Sequence, residues 1–327
     1  MPTLPALPNN EYAVGIITAL PLELTAARAC LDEVHGKPHW KNPSDTNTYS
    51  LGRIGDHKVV LACLPTGVYG TTSAAIVASQ MLSSFPSIRF GLMVGIGGGA
   101  PGEKHDIRLG DIVVSEPSGQ YSGVVQYDLG KRTATGFQLK GCLNKPPQVL
   151  LNAVARLKSD AMMGMDDIGT YLSEIVTKYP SMKTKFSYQD AENDRLFQPD
   201  HLHVPGETSC DAGVVRVVDR EPRPDTRPRV HYGLVASGNS LMKDSVTRDE
   251  LAQSYGVLCF EMEAAGLMDN FPCLVIRGIC DYSDSHKNDL WQEYAAATAA
   301  AYAKNLLSLM DGSDVSKTEE AVKVVGQ

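Results

Sequence analysis

The sequence has no excess of positive charge, no long apolar run and no closely paired cysteines, and each absence removes a class of function. Its 327 residues carry 30 Lys and Arg against 38 Asp and Glu, a net charge of −8. Nucleic-acid backbones and anionic membrane surfaces reward clustered cations, so neither is the expected partner. No stretch approaches the roughly 18–20 apolar residues that cross a bilayer. The N-terminus, MPTLPALPNNEY, has three prolines and no basic region, so no secretory signal is expected. The seven cysteines (30, 63, 142, 210, 259, 273 and 280) are odd in number and include no CxxC. They read as reduced thiols of a cytoplasmic protein rather than as disulfides or a zinc site.

What is present alternates. Short apolar runs read as strands at Tyr12–Thr18, Thr48–Arg53, Lys58–Leu64, Arg89–Gly95, Asp111–Ser115, Gly123–Tyr127, His231–Ala236, Val257–Glu261 and Cys273–Cys280. Between them, helices are predicted at Pro21–Val34, Gly70–Ser83, Ala264–Asn270 and Asp289–Met310, the first with Pro in its opening turn. Such alternation predicts an α/β fold, a twisted mixed sheet with helices on both faces. From about 159 to 229 the chain turns polar and irregular, with a helix expected only at Asp166–Lys178, and reads as a surface insertion without its own core. Residues from about 311 to 327 read as a flexible, frayed tail. There is no internal repeat.

Several motifs are decoys. Gly95-Ile-Gly-Gly-Gly-Ala100 matches the dinucleotide pattern G-x-G-x-x-A, but Pro101-Gly102 follows and no helix opens to receive a pyrophosphate. The glycines fit better a strand end where backbone meets a ligand or another segment closely. His201-Leu-His203 lacks the companion ligands of a metal site, and no cofactor or metal is expected. Three acidic positions are more telling, because each follows a predicted strand, where open α/β sheets bind ligands. They are Glu23, the Glu261-Met262-Glu263 run and Asp281. Any one of them alone reads as a helix-capping carboxylate. Three together, without a metal pattern, point to acid/base work on a small molecule.

At these residues the sequence resembles the nucleoside phosphorylase/nucleosidase superfamily. It is similar in particular to methylthioadenosine/S-adenosylhomocysteine nucleosidases and to the phosphorylase-like purine nucleosidase domains of fungal and other immune-receptor-type proteins. Four ordered blocks carry the resemblance: Val14–Glu23; Gly95–Gly99 with Leu109–Ser115; Gly233–Asn239; and Phe260–Ala265 with Arg277–Asp284. It implies one domain, a three-layer α/β/α sandwich around a central twisted mixed sheet, because residues of one site lie at both ends of the chain. It also implies roles. Glu23 activates the attacking water and Asp281 protonates or hydrogen-bonds purine N7. Glu263 holds the ribose hydroxyls, with Met262 beneath the sugar. Leu241 and Met242 clamp the base, and Trp291 flanks the sugar and its 5′ side. Glu261, Gly97, Gly98 and Asn239 complete the substrate-binding set. Cys280 departs from the family, which often has Ser there.

The chemistry suits these residue types. Cleaving an N-glycosidic bond leaves an oxocarbenium-like sugar and a purine anion. A carboxylic acid at N7 neutralises the base while a carboxylate deprotonates water, the two-carboxylate logic of glycoside hydrolysis. Asp281 must carry a proton for this, which calls for burial or a hydrogen-bonded neighbour. Apolar residues stand where the family's phosphorylases place their phosphate ligands, Leu20-Pro-Leu22 before Glu23 and Met93–Ile96, so hydrolysis is favoured over phosphorolysis. The expected substrate is a purine nucleoside, adenosine-like first, with inosine, guanosine or ATP-type nucleotides open. Lys104, His105 and Arg108 are candidates for a 5′-phosphate, or simply a solvated loop. The alternatives are a phosphorylase with a rearranged phosphate site and a nucleoside-binding sensor with little turnover. A homo-oligomer, a dimer first, is implied by the resemblance.

Overall fold

The computed structural model describes residues 3–5, 7–134, 136–203 and 216–325. Its strands are β1 (Thr3–Leu4), β2 (Val14–Thr18), β3 (Glu33–His35), β4 (Tyr49–Ile54), β5 (His57–Cys63), β6 (Phe90–Gly99), β7 (Ile112–Ser115), β8 (Val124–Gln126), β9 (Gly130–Thr133), β10 (Gly136–Leu139), β11 (Val230–Ser237), β12 (Val257–Glu261) and β13 (Cys273–Asp281). The helices are α1 (Pro21–Ala29), α2 (Thr71–Ser84), α3 (Gln148–Met162), α4 (Ile168–Lys178), α5 (Ser245–Tyr255), α6 (Ala264–Leu267), α7 (Gln292–Leu309), α8 (Gly312–Lys317) and α9 (Ala321–Val325).

Every residue of β2, β12 and β13 is buried. That is why these strands are continuous apolar runs rather than alternating ones: both faces of the sheet are covered. Along β2 the alternation instead selects a core. Ile17 joins one cluster with Val77 and Met81 of α2, while Val14 and Ile16 join another with α1, α3, α4 and the alanines of α7. The expected mixed sheet between two helical layers is therefore present. It runs β1-β3-β4-β5-β2-β6-β12-β11-β7-β13, with β8 also on β11. Its second half curls, because β13 pairs both with β7 and with β6, so β6, β12, β11, β7 and β13 form a closed ring.

Several expectations are corrected. The first helix ends at Ala29 and not at Val34, because Asp32 N–H bonds Arg53 O and Glu33–His35 pairs with β4. Strand pairing there outweighs helical periodicity. Helix α6 is a single turn, shorter than Ala264–Asn270. Strand β6 does not stop at Gly95 but continues through the glycines to Gly99. Helix α3 and the β9–β10 hairpin were not anticipated.

The insertion lends side chains to the main core, with Ile168, Ile175, Met182 and Phe186 buried in the cluster under α7. Cys210 lies outside the described residues. The expected frayed tail instead forms α8 and α9. Val315 and Ala321 are buried, and Ala321 N–H reaches Ile88 O at 2.8 Å. Among the described residues, no helix is long and apolar enough to cross a membrane.

Candidate active site

Strand β6 is the spine of the site. Its register sets Arg277 opposite Gly95 and Asp281 opposite Gly98 on β13, and Phe260 of β12 opposite Gly98 on the other side. A Cβ on Gly95 would strike the Arg277 guanidinium and the Glu23 carboxylate, and one on Gly98 would strike Ser283 Oγ and Asp281 Oδ1. The glycine run is therefore needed for close approach, by side chains of the protein itself. Over it opens a cleft of about 380 Å3 lined by Glu23, Glu261, Met262, Glu263, Asp281, Leu241, Met242, Gly97 and Gly98. The two proposed catalytic carboxyls, from opposite ends of the chain, meet there.

The glutamates differ in how fully they are bonded. Glu23 sits at the third position of α1. Its Oε2 accepts from Ala19 N (2.7 Å) and Leu20 N (2.8 Å), and its Oε1 accepts from Ile96 N (2.8 Å). It caps its helix, as the plainer reading had it, and also faces the cleft. Burial pushes its pKa above the usual carboxylate range, against the pull of Arg277 and the three N–H donors. Glu261 accepts from Glu263 N and Ala264 N and pairs with Arg277, so its carboxylate is committed to the framework. Glu263 is the least satisfied. Gly70 N lies at 3.3 Å and Arg277 Nη2 at 3.6 Å, which leaves acceptor capacity for hydroxyl groups.

The resemblance assigns no role to Arg277. It is 1% exposed and stands among all three glutamates. A guanidinium does lie beside Glu23, then, contrary to expectation, and its Nη2 is held by Glu261 and Glu263. Three carboxylates share one guanidinium, and the surplus shows in Glu263. Its pKa is pushed up to about 7, by burial first and by Glu261 and Glu23 next, with Arg277 opposing. A carboxyl with a raised folded pKa favours the fold at low pH and loses that contribution as pH climbs through about 7. Glu263→Gln should differ least from wild type at pH 5 and be more stable at pH 8 by on the order of 2–3 kcal/mol. Urea denaturation at the two pH values checks this, and a variant less stable at pH 8 would contradict it.

At the other end of the cleft, Asp281 is 4% exposed. Its Oδ1 accepts from Ser283 N at 2.8 Å. Its Oδ2 lies 3.1 Å from Cys280 Sγ and 2.6 Å from Lys287 Nζ. The cysteine that departs from the family pattern does support Asp281. Burial, then the Asp281 charge, raise the Cys280 pKa, so it remains a thiol donor. Ser283 adopts φ 54° and its buried Oγ has no partner. A side chain held in this sparsely populated region, aimed into a cleft, is a frequent mark of a binding site.

Other expected residues stand elsewhere. Trp291 is buried against Tyr188 and Tyr294, with Nε1 on Asn193 O, and its neighbour Gln292 lines the cleft instead. Asn239 acts at one remove. Its Oδ1 accepts from Thr71 N and Oγ1, which fixes the turn whose Gly70 N–H meets Glu263. Lys104, His105 and Arg108 line a separate cleft of about 1220 Å3, where Arg108 bonds Asp106 and Glu221 O. Arg277, Lys287, Ser283, Tyr69 and Gln292 join the site without having been given roles. For Ser283 the signal was the Asp-x-Ser spacing of an Asx turn.

A mixed α/β sheet with strand-end carboxyls around a glycine-lined cleft defines a class of fold and site that suits acid/base work on a small molecule. The chain belongs to the phosphorylase superfamily, whose profile matches residues 13–312. It is 48% identical over 306 residues, 94% of its length, to a nucleotide-binding leucine-rich repeat (NLR)-like protein of Hyaloscypha variabilis. It is 25% identical over 307 residues, 90% of its length, to the ATP nucleosidase Cap17 of Escherichia coli. The chain spans 30% of the first relative and 51% of the second. A solved 5′-methylthioadenosine/S-adenosylhomocysteine nucleosidase of S. pneumoniae, with the transition-state inhibitor MT-ImmA, superposes at a TM-score of 0.56. It is 18% identical, with 91% of this chain and 100% of that one covered, and shares the fold.

Proposed function

We propose that this chain hydrolyses the N-glycosidic bond of a purine nucleoside or nucleotide, adenine first, to free base and the ribose moiety. The observation that carries the reading is the meeting of Glu23, Glu263 and Asp281 in one cleft whose guanidinium is already bound by carboxylates. Glu23, with its pKa raised, is suited to take a proton from water. Glu263 fixes the ribose hydroxyls, so the reacting centre is held for attack. Asp281 supports the departing base at N7. A phosphate nucleophile beside these carboxylates would set like charges together in a dry site, which favours water.

The adenine preference rests on the relatives, Cap17 and the methylthioadenosine nucleosidases. The cleft volume suits a base and sugar, so the phosphates of a nucleotide would lie outside it. A second reading has one observation in its favour, the NLR-like relative of which this chain spans 30%. Occupancy by a nucleoside, without turnover, would then govern another part of a longer protein.

One assay separates the readings. Purified protein is incubated with adenosine, inosine, guanosine and ATP, with and without phosphate, and base and sugar products are followed. Free ribose or ribose phosphate formed without phosphate is the expected result. Ribose 1-phosphate formed only with phosphate would establish a phosphorylase, and binding without products a sensor. Asp281→Asn should lower base release by about 10²–10⁴-fold while the fold persists.

A further inference from the structure

Lys287 follows Asp281 by six residues, a spacing that matches neither a helix nor a strand, yet its ammonium returns to that carboxylate. The loop between them is built to do this. Ser283 N–H closes one turn on Asp281 Oδ1, and His286 N–H closes a second on Asp284 Oδ1 at 2.9 Å. The left-handed Ser283 reverses the chain between them. The His286 ring then stacks on Phe197 of the insertion at 3.8 Å, which holds the loop from outside. The result places Lys287 Nζ 2.6 Å from Asp281 Oδ2, with the lysine side chain 18% exposed and the aspartate 3%. Lys287 lines the same cleft as Glu23 and Glu263.

This pairing bears on a requirement of the proposed reaction. The departing base must receive a proton, and the group bonded to Asp281 Oδ2 is a lysine ammonium, which carries one. Resting on the nucleosidase reading, we propose that Lys287 is the source of the proton delivered to the purine, which passes through Asp281. As the C1′–N bond breaks, its electron pair moves into the base and N7 becomes basic. Asp281 takes a proton from Lys287, which is left as a neutral amine, and passes a proton on to N7. On the other side water adds to C1′ and loses its proton to Glu23. Exchange with solvent returns a proton to Lys287 and removes one from Glu23, so that nucleoside and water become base and ribose with no net change in the protein.

The surroundings suit this role. Burial opposes the Lys287 charge, but Asp281 first and Cys280 and Asp289 after it outweigh burial, so the resting lysine is protonated. Asp284 faces Asp281 from the same loop, and burial raises its carboxyl. Loss of the Asp281 charge on protonation removes the main force holding the proton on the lysine.

The test compares wild type, K287M and K287R on two kinds of leaving group. One is whichever of adenosine and ATP the wild type hydrolyses. The other is 4-nitrophenyl β-D-riboside, whose phenolate departs without a proton. In K287M, kcat for the purine substrate should fall about 100-fold, with KM changed by less than about threefold, while the nitrophenyl riboside loses less than about threefold. K287R keeps the cation and the contact, but a guanidinium does not release its proton, so it should remain nearly as impaired on purine. Equal losses on both substrates, full rescue by K287R, or a loss confined to KM for ATP would overturn the role, the last in favour of a phosphate contact. A wild type inactive on every substrate would overturn the hydrolase reading and this role with it. An active wild type with any of the three other outcomes overturns the role alone.

Discussion

Arg277→Met should destabilise the protein by about 3–5 kcal/mol at pH 8, the range for removing one partner of a buried ion pair. Methionine fills most of the volume, so the loss is electrostatic and not a cavity. Without the guanidinium, Glu23, Glu261 and Glu263 are left buried together, and Glu263 already titrates near 7 with Arg277 in place. The folded pKa values of Glu23 and Glu263, already raised, should rise further. Stability contributed by carboxyls with raised pKa is present at low pH and lost as pH climbs through those values, so the deficit should be largest at pH 8 and shrink toward pH 5. Urea midpoints across that range measure it. A deficit that does not vary with pH would mean that packing, and not charge, is what Arg277 supplies.

Glu23→Ala should lower base release by about 10²–10⁴-fold, the usual worth of a positioned general base. Its structural effect should be a few kcal/mol. Loss of the cap on α1 costs about 1 kcal/mol, and the Ala19 and Ile96 N–H groups lose their acceptor at about 1–3 kcal/mol each, while the same change removes one of three carboxylates crowded around a single guanidinium, which offsets part of the loss. Activity is therefore compared at a temperature where circular dichroism shows the variant folded. A variant that keeps more than a tenth of wild-type kcat would show that Glu23 is a helix cap alone and that water is activated elsewhere.

The parts of the fold that were legible in the sequence share one property. Strands such as β2, β12 and β13 are buried on both faces, and their apolar runs have no other reading. The β9–β10 hairpin was not legible, because three of the four residues of β10 are exposed and carry no alternation. The tail helices α8 and α9 are six and five residues long, and they depend on burial of Val315 and Ala321 rather than on their own pattern. In the cleft, Glu23, Glu263 and Asp281 could be placed because each follows a strand end. Lys287 could not, because its position depends on a loop shaped by two side-chain turns and a ring from the insertion. Trp291 missed by one residue, since its ring packs inward on Tyr188 and Tyr294 as α7 begins. Lys104, His105 and Arg108, readable as 5′-phosphate candidates or as a solvated loop, line a separate cleft, where Arg108 is bonded to Asp106 and Glu221 O.

The curling of the sheet has a consequence for how this chain meets other chains. A strand whose backbone is paired on both sides offers no template for strand addition. The ring of β6, β12, β11, β7 and β13 removes open edges from the part of the sheet that carries Arg277, Glu261 and Asp281. Among the described residues, the main sheet ends at β1, two residues long, and branches at β8, three residues long. Templates this short support little backbone pairing. Association through the main sheet, with itself or with another protein, would therefore have to work through side chains on the helical and loop surfaces, which leaves backbone pairing to the edges of the β9–β10 hairpin. Its specificity is open to change one surface residue at a time, without disturbing the strands that hold the cleft.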